Sequence, residues 1–399
     1  MKEKYIKLLL ERCINFDKSK SLFINYNVIN QDFVDEIVIY AKNIGIDDIY
    51  LDKYSLEEKR DILNSIKLED IDNHPYFNSS IWDEYAKKDA SFLILKSEIP
   101  GILDDVDSKK VARCNYIERK TKPLYKKKQL EYVIPWCIAA VPNKYWAKEI
   151  FKNDNSLDKF WEVLGKICML DTDNPIMSWN NQIHIKKTMC DKLNNLKIKL
   201  LHYKNSLGTD LTLELPNDSC WCAASGNGIV NMPSYEVFTS PNFKKTNGIV
   251  YSSRPLSYNG ALIDQFWIKF KDGKAIDCKA KIGEEILKGI INSDSNSCYL
   301  GECALVNNDS PISNTGLVFG TTLIDENASC HLALGAGFKK SLINGKDLTD
   351  KELLKKGINV TPVHVDFMIG TPDLEIEAET INKEKVKIFE NGNFKINKK

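Results

Sequence analysis

Histidine is scarce in this chain. Among 399 residues there are five: His74, His184, His202, His331 and His364. Any chemistry that needs imidazole must draw on that short roster. Net charge is absent too, with 55 basic residues balancing 55 acidic ones. No global basic field exists to drive nucleic-acid binding. No apolar run approaches the roughly 20 residues that a membrane-crossing helix needs. The charged opening Met1-Lys2-Glu3-Lys4-Tyr5-Ile6-Lys7 reads as an amphipathic helix rather than a signal peptide. The phosphate-loop pattern G-x-x-x-x-G-K-S/T is missing. The glycine pairs Gly226-Asn227-Gly228 and Gly335-Ala336-Gly337 therefore read as turns. Cysteine is not rare, but its 11 copies are odd in number and scattered. Only Cys220 and Cys222 stand close, with no second pair at zinc-finger spacing. That argues against a disulfide scaffold and for reduced thiols, mostly small buried hydrophobes, in a cytoplasmic protein.

What is present divides the chain by texture. With 43% hydrophobic residues, 399 residues suffice for two cores. The expected fold class is α/β, or α+β overall: an N-terminal α/β domain over 1–197 and a β-rich catalytic domain over 198–399. In the first half, short apolar runs alternate with helical spacing. Strands are expected at 21–26, 48–51, 92–95 and 132–139. Helices are expected at 32–43 and 56–66, and over Lys109–Leu130 with a break at Pro123. Such alternation implies a parallel sheet flanked by helices. The basic stretch from Arg119 to Lys128 reads as a solvated helix face. After residue 198, glycine and asparagine turns separate alternating apolar runs such as 210–215 and 265–270, the latter followed by the turn Lys271-Asp272-Gly273-Lys274. Only 283–291 and 349–356 look helical there.

Four segments of the second half carry the chemistry. In Thr361–Ile369, strand alternation places Val363, Val365, Phe367 and Ile369 on one face and His364 with Asp366 on the other. An imidazole and a carboxylate so placed can grip a metal; a histidine hydrogen-bonded to its neighbour on a solvated face would look the same. His331 follows Asp325 and Glu326 within a run of small and apolar residues. This is not the helical His-Glu-x-x-His arrangement, and a satisfied core histidine is the plainer reading. Glu302 and Glu236 each sit within short apolar runs, where a carboxylate must find a cation, a donor or a proton. Together these segments offer up to four carboxylates to a shared site, with two imidazoles. That is the charge balance of a two-metal site, with donors suited to zinc, cobalt or manganese. His74, His184 and His202 lack acidic partners at ligand spacing and read as structural.

Five strings, Asn231–Pro241, Ser253–Leu256, Leu300–Val306, Glu326–Gly335 and His364–Gly370, resemble the thermophilic-type metalloaminopeptidases in sequence and in order. The resemblance is strong from about 205 to 370. It implies that Glu236, Glu302, Glu326, His331, His364 and Asp366 bind two divalent metal ions, with Glu302 able to serve both. It implies a homodimer that encloses its sites and cleaves N-terminal residues from short peptides with a metal-activated water. Glu302 and Glu326 are the candidate general bases, Glu302 slightly favoured. Arg254 is a candidate contact to substrate or to the dimer partner, a structural salt bridge being equally open. One departure stands out. The family carries a tyrosine where this chain has Phe338, which has no hydroxyl to steady an oxyanion. A two-metal hydrolase of another substrate class, such as a phosphoesterase, and a metal-binding but inactive homologue remain the alternatives. In a third reading the α/β half is a regulatory or interaction module.

Overall fold

The structure, a computed structural model, describes residues 1–223, 228–258 and 260–396. The glycine turn expected at Gly226-Asn227-Gly228 lies, apart from Gly228, outside the described residues. The chain forms two compact units. The first runs from Met1 to Trp179 and takes in a later segment that ends at Ser234. The second holds Asn180 onward and the remainder from Tyr235.

The first unit is built on a parallel sheet. Its strands are β1 (Leu22–Asn27), β2 (Ile49–Tyr54), β3 (Ser91–Lys96), β4 (Trp136–Ala140) and the short β8 (Asn231–Met232), in the order β2-β1-β3-β4-β8. Every pair is parallel. Parallel strands are covered by helices on both faces, so their apolar runs are continuous rather than alternating. Leu22, Phe23 and Ile24 accordingly have no exposure at all. The helices Gln31–Asn43 and Leu56–Ser65 follow the first two strands as expected. The basic stretch splits into Ser108–Lys120 and Pro123–Leu130, with proline at the first helical turn where its missing N–H costs nothing. The expected strand at 132–139 begins four residues late. Pro135 cannot donate to a ladder, and Tyr132 holds a left-handed φ of 56°. The N-terminal helix also departs from plain α geometry, becoming a π-helix over Leu8–Cys13.

The second unit contains two antiparallel sheets. The larger joins β5 (Ile198–Lys204), β6 (Asp210–Glu214), β10 (Thr246–Tyr251), β11 (Leu256–Tyr258), β12 (Ala261–Lys271), β13 (Lys274–Ile282), β17 (Glu375–Thr380), β18 (Lys385–Glu390) and β19 (Asn393–Phe394). The smaller joins β7 (Cys222–Ala223), β9 (Val237–Thr239), β14 (Leu300–Leu305), β15 (His331–Gly335) and β16 (His364–Met368), in the order β16-β15-β14-β9-β7. The turn between β12 and β13 is made by Asp272 and Gly273, both at positive φ as a tight hairpin requires. One apolar cluster draws on both sheets: Leu201, Leu213, Phe266 and Ile376 from the larger, Cys303, Leu332, Val365 and Phe367 from the smaller. The smaller sheet thus spends one face on the core, and period-2 alternation turns its other residues away from it.

Candidate metal centre

The face that β9, β14, β15 and β16 turn away from the core carries the chemistry. Leu332 and Leu334 point into the core from β15, so His331 and Ala333 point the other way. In β16, Val365 and Phe367 enter the core and His364 and Asp366 do not. Register then sets the neighbours. Ala333 pairs with Glu302 on one side and with Asp366 on the other. A methyl group at the centre of that row leaves room for the two longer carboxylates to converge.

Glu302 owes its direction to a bulge. The β14–β15 register shifts between Leu300 and Glu302, at Gly301. A Cβ built on Gly301 would lie 2.1 Å from the Ala336 carbonyl oxygen, so only glycine fits. Bulges of this kind re-aim side chains beside active sites. The turn that presses on Gly301 also anchors His364, whose Nδ1 lies 2.9 Å from the Ala336 carbonyl oxygen. His331 Nδ1 lies 3.3 Å from the Ser329 carbonyl. A carbonyl can only accept, so each imidazole keeps its proton on Nδ1 and presents Nε2 to the cluster.

Two triads result. Glu236, Glu302 and His331 have ligand atoms within 4.8 Å of one another, and so do Glu302, His364 and Asp366. Glu302 belongs to both. His331 Nε2 lies 3.1 Å from Glu236 Oε2. His364 Nε2 lies 3.2 Å from Glu302 Oε2 and 3.3 Å from Asp366 Oδ1. The first triad is buried, whereas the His364 side chain keeps 29% of its surface, which makes the second triad the open end. Glu326 is buried and belongs to neither triad, yet it lies in the field of Asp366, Glu236, His331 and Glu302. Five of the six residues singled out from the sequence therefore meet in the triads, and Glu326 lies within their field. Arg254 is not among them. It donates to the Leu317 carbonyl and Ser313 Oγ, each at 3.2 Å, and faces the charge of Asp325. Asp325 itself accepts from the backbone N–H groups of Phe319 and Thr321.

The electrostatics are those of crowded negative charge. Burial lifts the Glu302 carboxyl above its usual range and Asp366 and Glu236 add to the lift, against the bond to His364. Burial and the same two neighbours raise Glu326 well above the carboxylate range. Burial disfavours a charged His331, yet its bond to Glu236 and the surrounding carboxylates bring it up to about 10. Four carboxylates and two imidazoles in one largely buried cluster, open at His364, suit divalent cations. So does Asp366 Oδ1, buried without a well-formed hydrogen bond. So do the carbonyl-anchored imidazoles, a common support for metal-binding histidines.

Phe338 was marked in the sequence, but its contacts and the residues beside it were not legible there. Phe338 packs edge-on against His364, with ring centroids 5.1 Å apart, and tilts against Phe238 at 5.1 Å. Asn327 Oδ1 accepts from Tyr235 N at 2.7 Å and so ties the Glu236 segment to the Glu326 turn. Lys186, buried in the helix Pro175–Asn195, is pushed down to about 8 by burial, against the pull of Glu236. One of three lysines in a polar helix gives no such signal, whereas the asparagine inside the Glu326–His331 string was at least within a marked motif.

Comparison with known proteins agrees with this geometry. The profile of a family described as thermophilic metalloprotease (M29) matches residues 1–394. Aminopeptidase AmpS of Bacillus subtilis (strain 168) is 34% identical over 399 residues, covering 98% of this chain and 97% of the relative. Aminopeptidase PepS of Streptococcus thermophilus is 33% identical over 405 residues, covering 99% and 98%. The solved structure of wild-type AmpT from Thermus thermophilus superposes with a TM-score of 0.91 at 27% identity, covering 99% of each chain. The chain belongs to the thermophilic metalloprotease (M29) family.

Proposed function

We propose that this metalloprotease is an aminopeptidase that releases N-terminal residues from short peptides, using two divalent cations held by Glu236, Glu302, His331, His364 and Asp366, with Glu326 beside them as the base. The observation that carries the reading is the pair of triads sharing Glu302. A carboxylate has two oxygens, so one residue can serve two neighbouring ions. Imidazole and carboxylate donors suit zinc, cobalt or manganese. Cations bound there supply Lewis-acid activation of water and of the scissile carbonyl.

The chain's own residues do the rest. His331 and His364, fixed through Nδ1, hold their Nε2 atoms in place. Glu302 has its oxygens committed to both triads, which makes it a poor proton acceptor. Glu326, within the cluster's field but outside both triads, takes a proton on a carboxylate oxygen and returns it to the leaving amine. At the open end, the free α-amine of a peptide pairs with a carboxylate, which sets cleavage at the first bond. The resemblance further supports a homodimer, and 11 free cysteines suit a reducing, cytoplasmic compartment.

Hydrolysis of leucine- and arginine-p-nitroanilide tests the proposal. Activity should be lost with chelator, return with zinc, cobalt or manganese, and vanish when the substrate α-amine is acetylated. Cleavage of a phosphodiester with no action on either anilide would assign the site to another substrate class.

A further inference from the structure

A second group of nucleophilic side chains stands in the same unit, apart from the carboxylate cluster. Cys220 and Cys222 are both half-exposed; of the other nine thiols only Cys278 is, and the rest are buried. The segment is stitched down on two sides. On one, Cys222 and Ala223 pair with Phe238 and Val237, and Thr239 Oγ1 donates to the Cys220 carbonyl at 3.0 Å. On the other, Cys220 N donates to the Ser341 carbonyl at 2.7 Å and Cys222 Sγ donates to the Lys340 carbonyl at 3.0 Å. The first side leads directly from Glu236, and the second follows Phe338, which packs on His364.

Cys222 Sγ carries one proton, which can turn from the Lys340 carbonyl to make a hydrogen bond to Cys220 Sγ instead. That bond draws Cys220 down to about 7, against burial and the charge of Asp191. The same bond, with burial, holds Cys222 in its protonated form. Asn194 Nδ2 contributes a weak bond to Cys220 Sγ at 3.7 Å. Cys190 lies within electrostatic reach of both thiols, and the Lys340 ammonium favours the charged form of Cys222 and of Cys190. An asymmetric pair of this kind supplies a ready nucleophile beside a resolving thiol.

We propose that Cys220 and Cys222 form a dithiol site that closes reversibly to a disulfide by exchange with a small-molecule disulfide, and that closure slows turnover at the carboxylate–imidazole site. The Cys220 thiolate attacks one sulfur of the small disulfide, and a mixed disulfide forms as one small thiolate leaves. Cys222, giving up its proton, then attacks Cys220 Sγ and displaces the second small thiolate. Two protein thiols are oxidised, one small disulfide is reduced, and the two protons end on the two small thiols. Alternate residues of extended chain have Cα atoms about 6.6 Å apart, near the upper limit of about 6.8 Å for a disulfide. The closed form is therefore strained and readily reduced. Closure also takes the thiol proton away from the Lys340 carbonyl and twists a segment tied to both Glu236 and Phe338.

The link itself is independent of the proposed function, whereas the effect on turnover rests on it. The test treats reduced full-length protein with glutathione disulfide under native conditions, followed by intact mass, peptide mapping and the anilide assay, before and after dithiothreitol. The expected result is loss of two hydrogens mapped to Cys220 and Cys222. Turnover should fall about tenfold, since a displacement of about 1 Å can cost up to ~100-fold, and reductant should restore it. Cys222→Ser, checked for an unchanged melting temperature, should stop at a mixed disulfide on Cys220. Absence of the link, modification confined to Cys278, or a link with unchanged turnover overturns the proposal. If reduced protein cleaves no peptide, the proposed function fails, and the mapped link alone decides the dithiol site.

Discussion

Replacing Gly301 by alanine probes the geometry that aims Glu302. The added methyl would stand 2.1 Å from the Ala336 carbonyl oxygen, 2.3 Å from its carbon and 2.4 Å from the Gly335 oxygen. Ordinary carbon–oxygen contact needs more than about 3 Å, so either the bulge or the 335–337 turn must retreat by about 1 Å. Retreat of the bulge moves Glu302 out of both triads; retreat of the turn moves the carbonyl that holds His364 Nδ1. Overpacking of this size costs about 1–3 kcal/mol in stability, and misplacement by about 1 Å costs up to ~100-fold in rate. Thermal unfolding with and without cation, together with the anilide assay, reads both effects. Gly289→Ala is the control. Gly289 lies in the helix Glu284–Ile291 with nothing within 4 Å of a new Cβ, so that change should stabilise by about 0.5–1 kcal/mol and leave turnover alone. Wild-type turnover in Gly301→Ala would refute the argument that the bulge positions Glu302.

Phe338→Tyr would place a hydroxyl beside His364. We expect kcat on leucine-p-nitroanilide to rise, by up to the ~100-fold or more that a single oxyanion donor contributes; an unchanged kcat would mean the hydroxyl is not missed. Thr349→Ala removes a capping box in which Thr349 and Glu352 satisfy each other's backbone N–H groups, and should lower stability by about 1 kcal/mol in thermal unfolding without changing turnover. Lys122, its Nζ 3.7 Å from the Trp82 ring centroid, is pushed down by burial to about 8. A lysine with a lowered folded pKa contributes stability that is full above its unfolded pKa, near 10.4, and is lost as pH falls through about 8. Lys122→Met should therefore raise the melting temperature at pH 7, with a gain that shrinks as pH climbs past 8; a constant gain would point to packing instead of charge.

Much of this arrangement was legible because it is local. Alternation in 361–369 placed His364 and Asp366 on one face, and both stand on one side of β16. Helix spacing found Gln31–Asn43 and Leu56–Ser65 to within a residue or two. What escaped was non-local. Asn231 and Met232 extend the parallel sheet as β8 although the texture around them belongs to the second half, because a two-residue strand has no period to read. His202, read as without an acidic partner, lies 2.6 Å from Asp210, since the β5–β6 register turns a separation of eight residues into a neighbour across the ladder. The shared role of Glu302 depends on a bulge at Gly301 that only the opposing turn explains.

Metal content of purified wild type, Asp366→Asn and Glu302→Gln tests the central claim most directly. With Glu302 common to both triads and Asp366 confined to one, the account predicts two divalent cations per chain in the wild type, one in Asp366→Asn and none in Glu302→Gln. Equal metal content in Glu302→Gln and wild type would contradict it.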